Sequence, residues 1–573
     1  MRPLGPDDTV TVGGLTYRKD PARETCFSVV HDDAEMRSFS TMSDEGRRER
    51  LHRHMNNEIG SLEIAAQMLT DFPEAPWELR MELARQCWDE TRHVELLHRR
   101  LVALGGRKGE FPVANLEWRV TCMLETLAAR LAVQNRTFEA GQMDIVRKNI
   151  EEWREAGDAE TASILDGILA DEIQHVRFAN RWLRRFIAED RRLLMKVAAA
   201  MAFLTRATAP RGGTEDEPAR PSGINVDDRR LAEFTDDEIR EVLRQVGLGS
   251  LDGGEGPAAA APRPGESSPG SAGKDDAGRG LTAAGGGGGS RTPRTMRSRI
   301  PGGGAMNDPA VSPRGLPDQD RAGNGQARDT ADPALYVDNP ARDGRFTVVD
   351  RWEECVNLPD DHPEKGVEFL HRQMNEEING LENSARCLAD FPDADWDLRL
   401  CIARQCADEA RHVEMFRRLC EARGGAVGRY PVMNFQYRII SRLESLAGRL
   451  AVQNRTFEAE GLDAIGYGID DCRDRGDTGM AAMLDAQLAD EIGHVRYANE
   501  WLRAEVKRSP RTAMDVVRSI GRAASAFQRV VGEKGGQVVK YLVAPEGRLE
   551  AGFSPDEVRA AAESVRARRR GNA

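Results

Sequence analysis

Asp89-Glu90-Thr91-Arg92-His93 and Asp171-Glu172-Ile173-Gln174-His175 share the pattern D-E-x-x-H. At an offset of 319 positions stand Asp408-Glu409-Ala410-Arg411-His412 and Asp490-Glu491-Ile492-Gly493-His494. On an α-helix, residues three apart project to the same side. Each motif therefore offers one carboxylate and one imidazole to a common point. Two such helices, completed by one glutamate from each of two others, make the donor set of a dinuclear metal site inside a four-helix bundle. A single E-x-x-H is weak, because charged residues commonly line a solvated helix face. Four of them, each preceded by aspartate and set at matching points of a repeat, are not explained that way. Glutamate and histidine in apolar stripes are costly to bury unless paired or metal-bound.

The repeat organises the chain. Arg130 to Ala140 (RLAVQNRTFEA) is identical to Arg449 to Ala459. Asp20-Pro21-Ala22-Arg23 answers to Asn339-Pro340-Ala341-Arg342, Phe72-Pro73 to Phe391-Pro392, and Trp182-Leu183-Arg184 to Trp501-Leu502-Arg503. The offset holds from about residue 20 to about 190 and returns near Phe234 and Phe553, the mark of a duplicated unit. Residues 251–330 between the copies are rich in Gly, Pro, Ser and Ala and too poor in apolar side chains to offset the entropy of ordering, so they read as a flexible, disordered linker. The expected organisation is a first bundle with its N-terminal segment over 1–205 and a small C-terminal element over 206–250. After the linker at 251–330 come a second bundle with its N-terminal segment over 331–520 and a second small element over 521–573.

The expected fold class is all-α, two four-helix bundles in tandem. A hydrophobic content of 40% with only 6% aromatic residues suits aliphatic helix packing better than sheets. In the first copy, helices are expected from about Ser43 to Thr70, Trp77 to Leu104, Asn115 to Ala156, and from beyond Gly157 to about Ala188. Asp71-Phe72-Pro73, Gly105-Gly106 and Gly157 are the stops.

Two further glutamates per copy follow from hairpin register, since antiparallel helices bring together residues equidistant from their turn. Glu58 and Glu90 each lie 16 residues from Glu74, in the first turn, and Glu139 and Glu172 straddle the turn around Gly157. The ligand set read from the sequence is Glu58, Glu90, His93, Glu139, Glu172 and His175 in the first copy. In the second it is Glu377, Glu409, His412, Glu458, Glu491 and His494. Glu63 with Glu382, and Glu125 with Glu444, are also shared and stand as rivals. Four carboxylates and two imidazoles favour two iron ions per bundle, with a manganese–iron pair as the variant, over zinc, whose sites usually close with four ligands. Asp89 and Asp171 read either as groups orienting the histidines or as surface ion pairs to Arg92 or Arg177. His52 and His371, a poor angular match to the helix-A glutamates, read as structural or supporting. Gln134, Asn135 and Arg136, with Gln453, Asn454 and Arg455, read as packing groups or as a pocket lining.

A formal net charge of −13 disfavours nucleic acid and anionic membranes as partners. Nine cysteines form no C-x-x-C, which excludes a rubredoxin-type iron site and fits reduced thiols. Met1 to Val12 lacks an apolar signal core, and no apolar run, Val197 to Leu204 included, is long enough to span a bilayer. The expected location is the cytoplasm.

With these residues in place, the chain resembles the ferritin-like di-iron carboxylate superfamily, whose Glu, E-x-x-H, Glu, E-x-x-H pattern both copies match. The D-E-x-R-H form at Asp89 and Asp408 is similar to hydroxylase subunits of bacterial multicomponent monooxygenases. The closer similarity, carried by Phe72-Pro73, Trp77 and Asp89 to His93, is to a bacterial ferritin-like family of unknown function. The resemblance covers each bundle. It implies a di-iron oxygenase or oxidase that activates O2 to hydroxylate, desaturate or N-oxygenate a small organic substrate, with an unassigned electron donor. Ferroxidase or iron storage, a rubrerythrin-like peroxidase and tRNA hydroxylation are the competing implications. The two bundles are expected to form an intramolecular pseudo-dimer. No bundle tyrosine is shared between the copies, which argues against a radical tyrosine.

Overall fold

The computed structural model describes residues 9–208, 223–245, 340–535 and 543–571, apart from positions 13, 20, 22, 32–34, 37, 38, 40, 341, 357 and 360. The expected linker over 251–330 lies outside the described residues. Among the described residues the chain is all-α apart from an isolated bridge, Val348 to Val432, and two short sheets, an antiparallel pair β1 (Thr9–Val12) with β2 (Leu15–Arg18) and a parallel pair β3 (Val29–Val30) with β4 (Val113–Ala114).

The first bundle opens with α1 (Asp44–Asp71), which Ser43 caps by accepting from the Gly46 N–H at 3.1 Å. Phe72-Pro73 ends it, and α2 (Trp77–Ala103) returns antiparallel beside it. Helix C, expected as one run from Asn115 to Ala156, is in four pieces. These are α3 (Leu116–Cys122), α4 (Leu127–Val133), a π-helical turn (Gln134–Glu139) and α5 (Ala140–Glu155). The first break belongs to Thr126, whose hydroxyl accepts from the Ala129 N–H at 3.3 Å and so starts a new helix. α6 (Ala159–Glu189), capped by Asp158, closes the bundle against α5 and α2. A fifth helix, α7 (Arg192–Ala207), packs on α4, and α8 (Val226–Leu231) is tied to α5 through Arg229 and Asp144 at 2.7 Å. α9 (Asp236–Gln245) is an acidic-started helix described by itself.

The second copy repeats the order in α10 (Lys365–Asp390), α11 (Trp396–Ala422), α12 (Phe435–Ser441), α13 (Leu446–Val452), a π turn (Gln453–Glu458), α14 (Ala459–Asp474) and α15 (Thr478–Arg508). Its fifth helix, α16 (Pro510–Gly535), packs on α13 and continues past residue 520. α17 (Pro545–Glu550) and α18 (Pro555–Gly571) follow. Among the described residues no helix is long and apolar enough to cross a membrane.

The bundles meet through α1 with α10 and α2 with α11, and the contacts are reciprocal. Glu63 lies between Arg23 of its own copy at 2.6 Å and Arg399 of the other at 2.7 Å. Its counterpart Glu382 lies between Arg342 at 2.6 Å and Arg80 at 2.7 Å. Asp343 accepts from the Trp77 N–H at the start of α2, and Glu24 accepts from the Trp396 N–H at the start of α11. Each helix N-terminus is thus met by a carboxylate from the other copy. Cys87 and Cys406, the one cysteine pair kept by the repeat, are neighbours whose thiols donate to the Leu62 and Leu381 carbonyls, and that proximity with burial raises the Cys87 thiol well above its ordinary value. Glu63 and Glu382 are therefore interface residues and not metal ligands.

His52 is fully buried and accepts from the Gly109 N–H at 2.9 Å through Nε2. His371 does the same from Gly428 at 3.0 Å. Both glycines have positive φ, 71° and 80°, and a Cβ there would lie 1.8 Å from a carbonyl oxygen of the passing N-terminal segment (Cys26, Arg345). The histidines are thus structural, pinning a loop against a close backbone crossing.

Two outcomes follow from this packing. Arg80→Ala and Arg399→Ala each leave a buried glutamate short of one cation, and each is expected to lower the unfolding free energy by about 3 kcal/mol in urea denaturation. Burial lowers the His52 and His371 pKa values to about 4. The unfolded chain therefore binds those protons first, and their contribution, intact above pH 6.5, is lost as pH falls from 6.5 toward 4. The stability advantage of the native chain over His52→Gln is expected to shrink across that interval.

Candidate metal centre

Each bundle gathers all six of its expected donors. In the first, one ligand atom each from Glu58, Glu90, His93 and Glu172 lies within 4.8 Å of the others, and the same holds for Glu90, Glu139, Glu172 and His175. In the second, the groups are Glu377, Glu409, His412 and Glu491, and Glu409, Glu458, Glu491 and His494. Glu90 and Glu172 belong to both groups of the first bundle, as Glu409 and Glu491 do in the second. Each centre is therefore a pair of four-donor sites sharing two carboxylates, with one private glutamate and one histidine apiece.

The helices account for the placement. α2 and α6 each carry a D-E-x-x-H motif, so glutamate and histidine stack one turn apart and point inward. α1 supplies Glu58 and the π turn supplies Glu139. A π turn stacks residues five apart. Gln134 thereby comes within 3.5 Å of Glu139, and Gln453 within 2.9 Å of Glu458. Asn135 and Asn454 reach the second oxygen of the same glutamates at 2.9 and 3.0 Å. These polar residues of the identical run therefore hold a donor in place, while Arg136 turns away to Asn180. The rivals Glu125 and Glu444 sit in the break before α4 and α13, their side chains 81% and 77% exposed, beside Lys196 and Arg442.

Both histidines present Nδ1 to the carboxylates and Nε2 to an aspartate, and the aspartates are crossed. Asp171 on α6 lies 3.3 Å from Nε2 of His93 on α2, and Asp89 on α2 lies 3.4 Å from Nε2 of His175 on α6. The second bundle repeats this with Asp490 to His412 at 3.2 Å and Asp408 to His494 at 3.3 Å. A carboxylate only accepts, so Nε2 carries a proton, and Nδ1 is the nitrogen that faces inward and would give up its own proton to bind a cation. Arg92 spans Asp89 at 2.6 Å and Asp171 at 3.0 Å, and Arg411 spans Asp408 and Asp490 likewise. The two readings of these aspartates are both realised, with Arg92 as the cation. Arg177 instead donates to the Leu231 carbonyl.

In the first bundle no donor exceeds 2% exposure, whereas in the second Glu377 is 8% exposed and Glu458 is half-buried. Burial alone would lower the His93 pKa, but hydrogen bonds to Asp171, Glu58 and Glu90 hold it well above the ordinary value. Burial and the neighbouring Glu90 and Glu58 push Glu172 up to about 8, and burial with Glu491 does the same to Glu409. Four carboxylates crowded this way cannot all stay ionised without added positive charge. Both oxygens of Glu172, Nδ1 of His175 and Nδ1 of His412 are buried and make no hydrogen bond. Four carboxylates and two inward imidazoles match two divalent cations in number, charge and donor type.

Several residues of the site were not legible from the motifs. Gln86 donates to Glu90 at 3.0 Å and to Glu139 at 2.6 Å, and Gln405 repeats this with Glu409 and Glu458. Its signal was present, a shared glutamine one turn before a shared ligand. Tyr497, which has Phe178 as its counterpart, bonds to Gln405 and Asn454 in the second bundle only. His54 and Gln142 both contact Glu58 Oε1, at 2.6 and 2.7 Å.

No solved structure matches the chain. An uncharacterized protein of Haemophilus influenzae is 27% identical over 219 residues, covering 37% of this chain and 72% of that protein. The family described as "Protein of unknown function (DUF455)" matches residues 9–240 and, a second time, residues 315–559. Those two matches take in both bundles, and the chain belongs to that family as a tandem member.

Proposed function

We propose that the protein is a non-haem di-iron oxidoreductase that uses O2 to oxidise a small organic substrate, with two iron ions in each bundle. The observation that carries this reading is the pair of carboxylates shared between two His/Glu sites inside a helical bundle, twice over. Oxygen and imidazole donors without thiolate suit iron or manganese. The resemblance to ferritin-like di-iron proteins supports the same assignment. Ferrous iron bound there would supply reducing equivalents to O2, restored by an external donor. Glu90 and Glu172 would be shared between the two sites, as Glu409 and Glu491 would be in the second bundle. Glu58 with His93, and Glu139 with His175, would supply the remaining donors. Asp89 and Asp171 fix the imidazole tautomer. The apolar shell around the centre keeps bulk water from the reacting groups.

Anaerobic loading with ferrous iron is expected to saturate near about four ions per chain, two per bundle core, and admission of air to give O2 uptake. A mineral of hundreds of ions would instead make the protein an iron store. Glu90→Ala combined with Glu409→Ala is expected to abolish O2 uptake while the far-ultraviolet circular dichroism stays helical. Retained turnover would refute the ligand assignment. Asp171→Asn with Asp490→Asn removes the acceptor behind His93 and His412, and a loss of about 10- to 100-fold in iron affinity is expected by competition with a chelator.

A further inference from the structure

The two centres carry the same donors but differ in what stands in front of them. In the second bundle a cavity of about 170 Å3 reaches Glu377, Glu409, Glu458 and Glu491. Phe369, Phe416, Phe435, Phe457 and Phe527 contribute its apolar wall. In the first bundle two side chains stand between the corresponding space and the donors. His54 stands where the second copy has Gln373, and Gln142 where it has Gly461. Both lie on Glu58 Oε1, and they are 3.0 Å from each other. A Cβ at Gly461 would meet nothing within 4 Å, so glycine leaves that space open.

The support for the helix-A glutamate differs between the copies along with the plug. Gln487, on α15, donates to Glu377 Oε1 at 2.9 Å, and its counterpart in the first copy is Ile168, which cannot. Glu377 is therefore held from α15 by a residue that itself lines the cavity, and the space beside Gly461 stays open. A first-bundle cavity of about 400 Å3 lies over Arg53, Asn57 and Phe138, counterparts of Arg372, Glu376 and Phe457. None of the six first-bundle donors lines it.

We propose that the two centres have divided their roles: the second admits the organic substrate, a single-ring aromatic compound bearing a hydroxyl or similar polar group, and the first is closed to it by His54 and Gln142. This rests on the di-iron reading for what happens after binding, but not for binding itself. The size follows from the volume, since an apolar cavity of about 150 Å3 takes up benzene. The ring follows from five phenylalanines, which favour edge and offset contacts with another aromatic. The polar group follows from three buried atoms on the cavity residues that make no hydrogen bond, Arg372 Nη2, Gln373 Oε1 and Gln487 Oε1. A phenolic hydroxyl both accepts and donates, and satisfies groups of both kinds.

The test is equilibrium dialysis of labelled phenol against the iron-loaded, anaerobic full chain. One phenol per chain is expected. Gln373→His with Gly461→Gln, which transplants the plug, is expected to weaken binding at least about tenfold, with iron content and thermal midpoint unchanged. In a second variant, Phe457→Ala with Phe527→Ala, the ring wall is cut back with no plug added and binding is expected to weaken at least about tenfold, so the idea stays testable if the plugged protein folds poorly. Two phenols on the native chain, none, or one that survives the plug would overturn the proposal. Phenol binding in the expected pattern without O2 uptake would overturn the redox reading alone and leave the cavity assignment standing.

Discussion

Four carboxylates and two imidazoles confined to the centre of a helical bundle set the terms for everything around them. An isolated buried carboxylate loses hydration worth several kcal/mol, and four within a few ångströms repel one another as well. The structure meets this in layers. The histidines stand against the carboxylates, the crossed aspartates stand behind the histidines, and Arg92 or Arg411 ties the aspartates together at the surface. Glutamine and asparagine donors from α2 and the π turn hold the remaining oxygens. Charge alternates outward from the centre, and only its outer cation is substantially exposed. The atoms that still make no hydrogen bond, on Glu172, His175 and His412, belong to the groups that could hold a metal ion, whose positive charge would complete the balance.

The same logic governs the join between the copies. Glu63 and Glu382 are nearly as buried as the ligands, yet each is flanked by two guanidinium groups, so no cation from solution is needed. A shared, buried, helix-A glutamate is thus ambiguous in sequence and unambiguous in space. The distinction lies in whether arginine or histidine arrives opposite it, and Arg399 and Arg80 arrive from the other half of the chain. A single bundle would lack those partners, and Glu63 and Glu382 would each keep one arginine instead of two.

Much of the centre was legible because helical geometry is regular. Residues i and i+3 share a face, and antiparallel helices pair residues equidistant from a turn, which located Glu58 and Glu139 without any contact information. The duplication supplied an internal control, since Glu125 and Glu444 were as well kept as the ligands and only their position relative to the helix start set them apart. That start was the part sequence pattern did not give. Thr126 and Ser445 are ordinary residues inside an apolar run, and they cap a helix only because the chain must turn there to bring Gln134 and Glu139 inward. The π turns and the fifth helices are likewise products of tertiary packing, which overrides local preference. His54 and Gln142 carried no signal because they are what the copies do not share.

Duplication gives the chain two copies of a demanding interior while binding them into one folded body. The reciprocal arginine–glutamate contacts and the exchanged helix-N-terminal carboxylates make each half a structural requirement of the other. Selection on stability alone therefore keeps both centres intact, because an unpaired buried carboxylate in either would weaken the whole. The surroundings of each centre are under no such constraint. Where the first copy holds its helix-A glutamate with Gln142, the second has Gly461 there and holds Glu377 with Gln487 on the fourth helix, where the first has Ile168. The two differences are matched, so Glu377 stays oriented while the space beside Gly461 is open. A centre that only needed its carboxylate held had no need of that second arrangement. Clearing the approach to the carboxylates gives it a physical purpose.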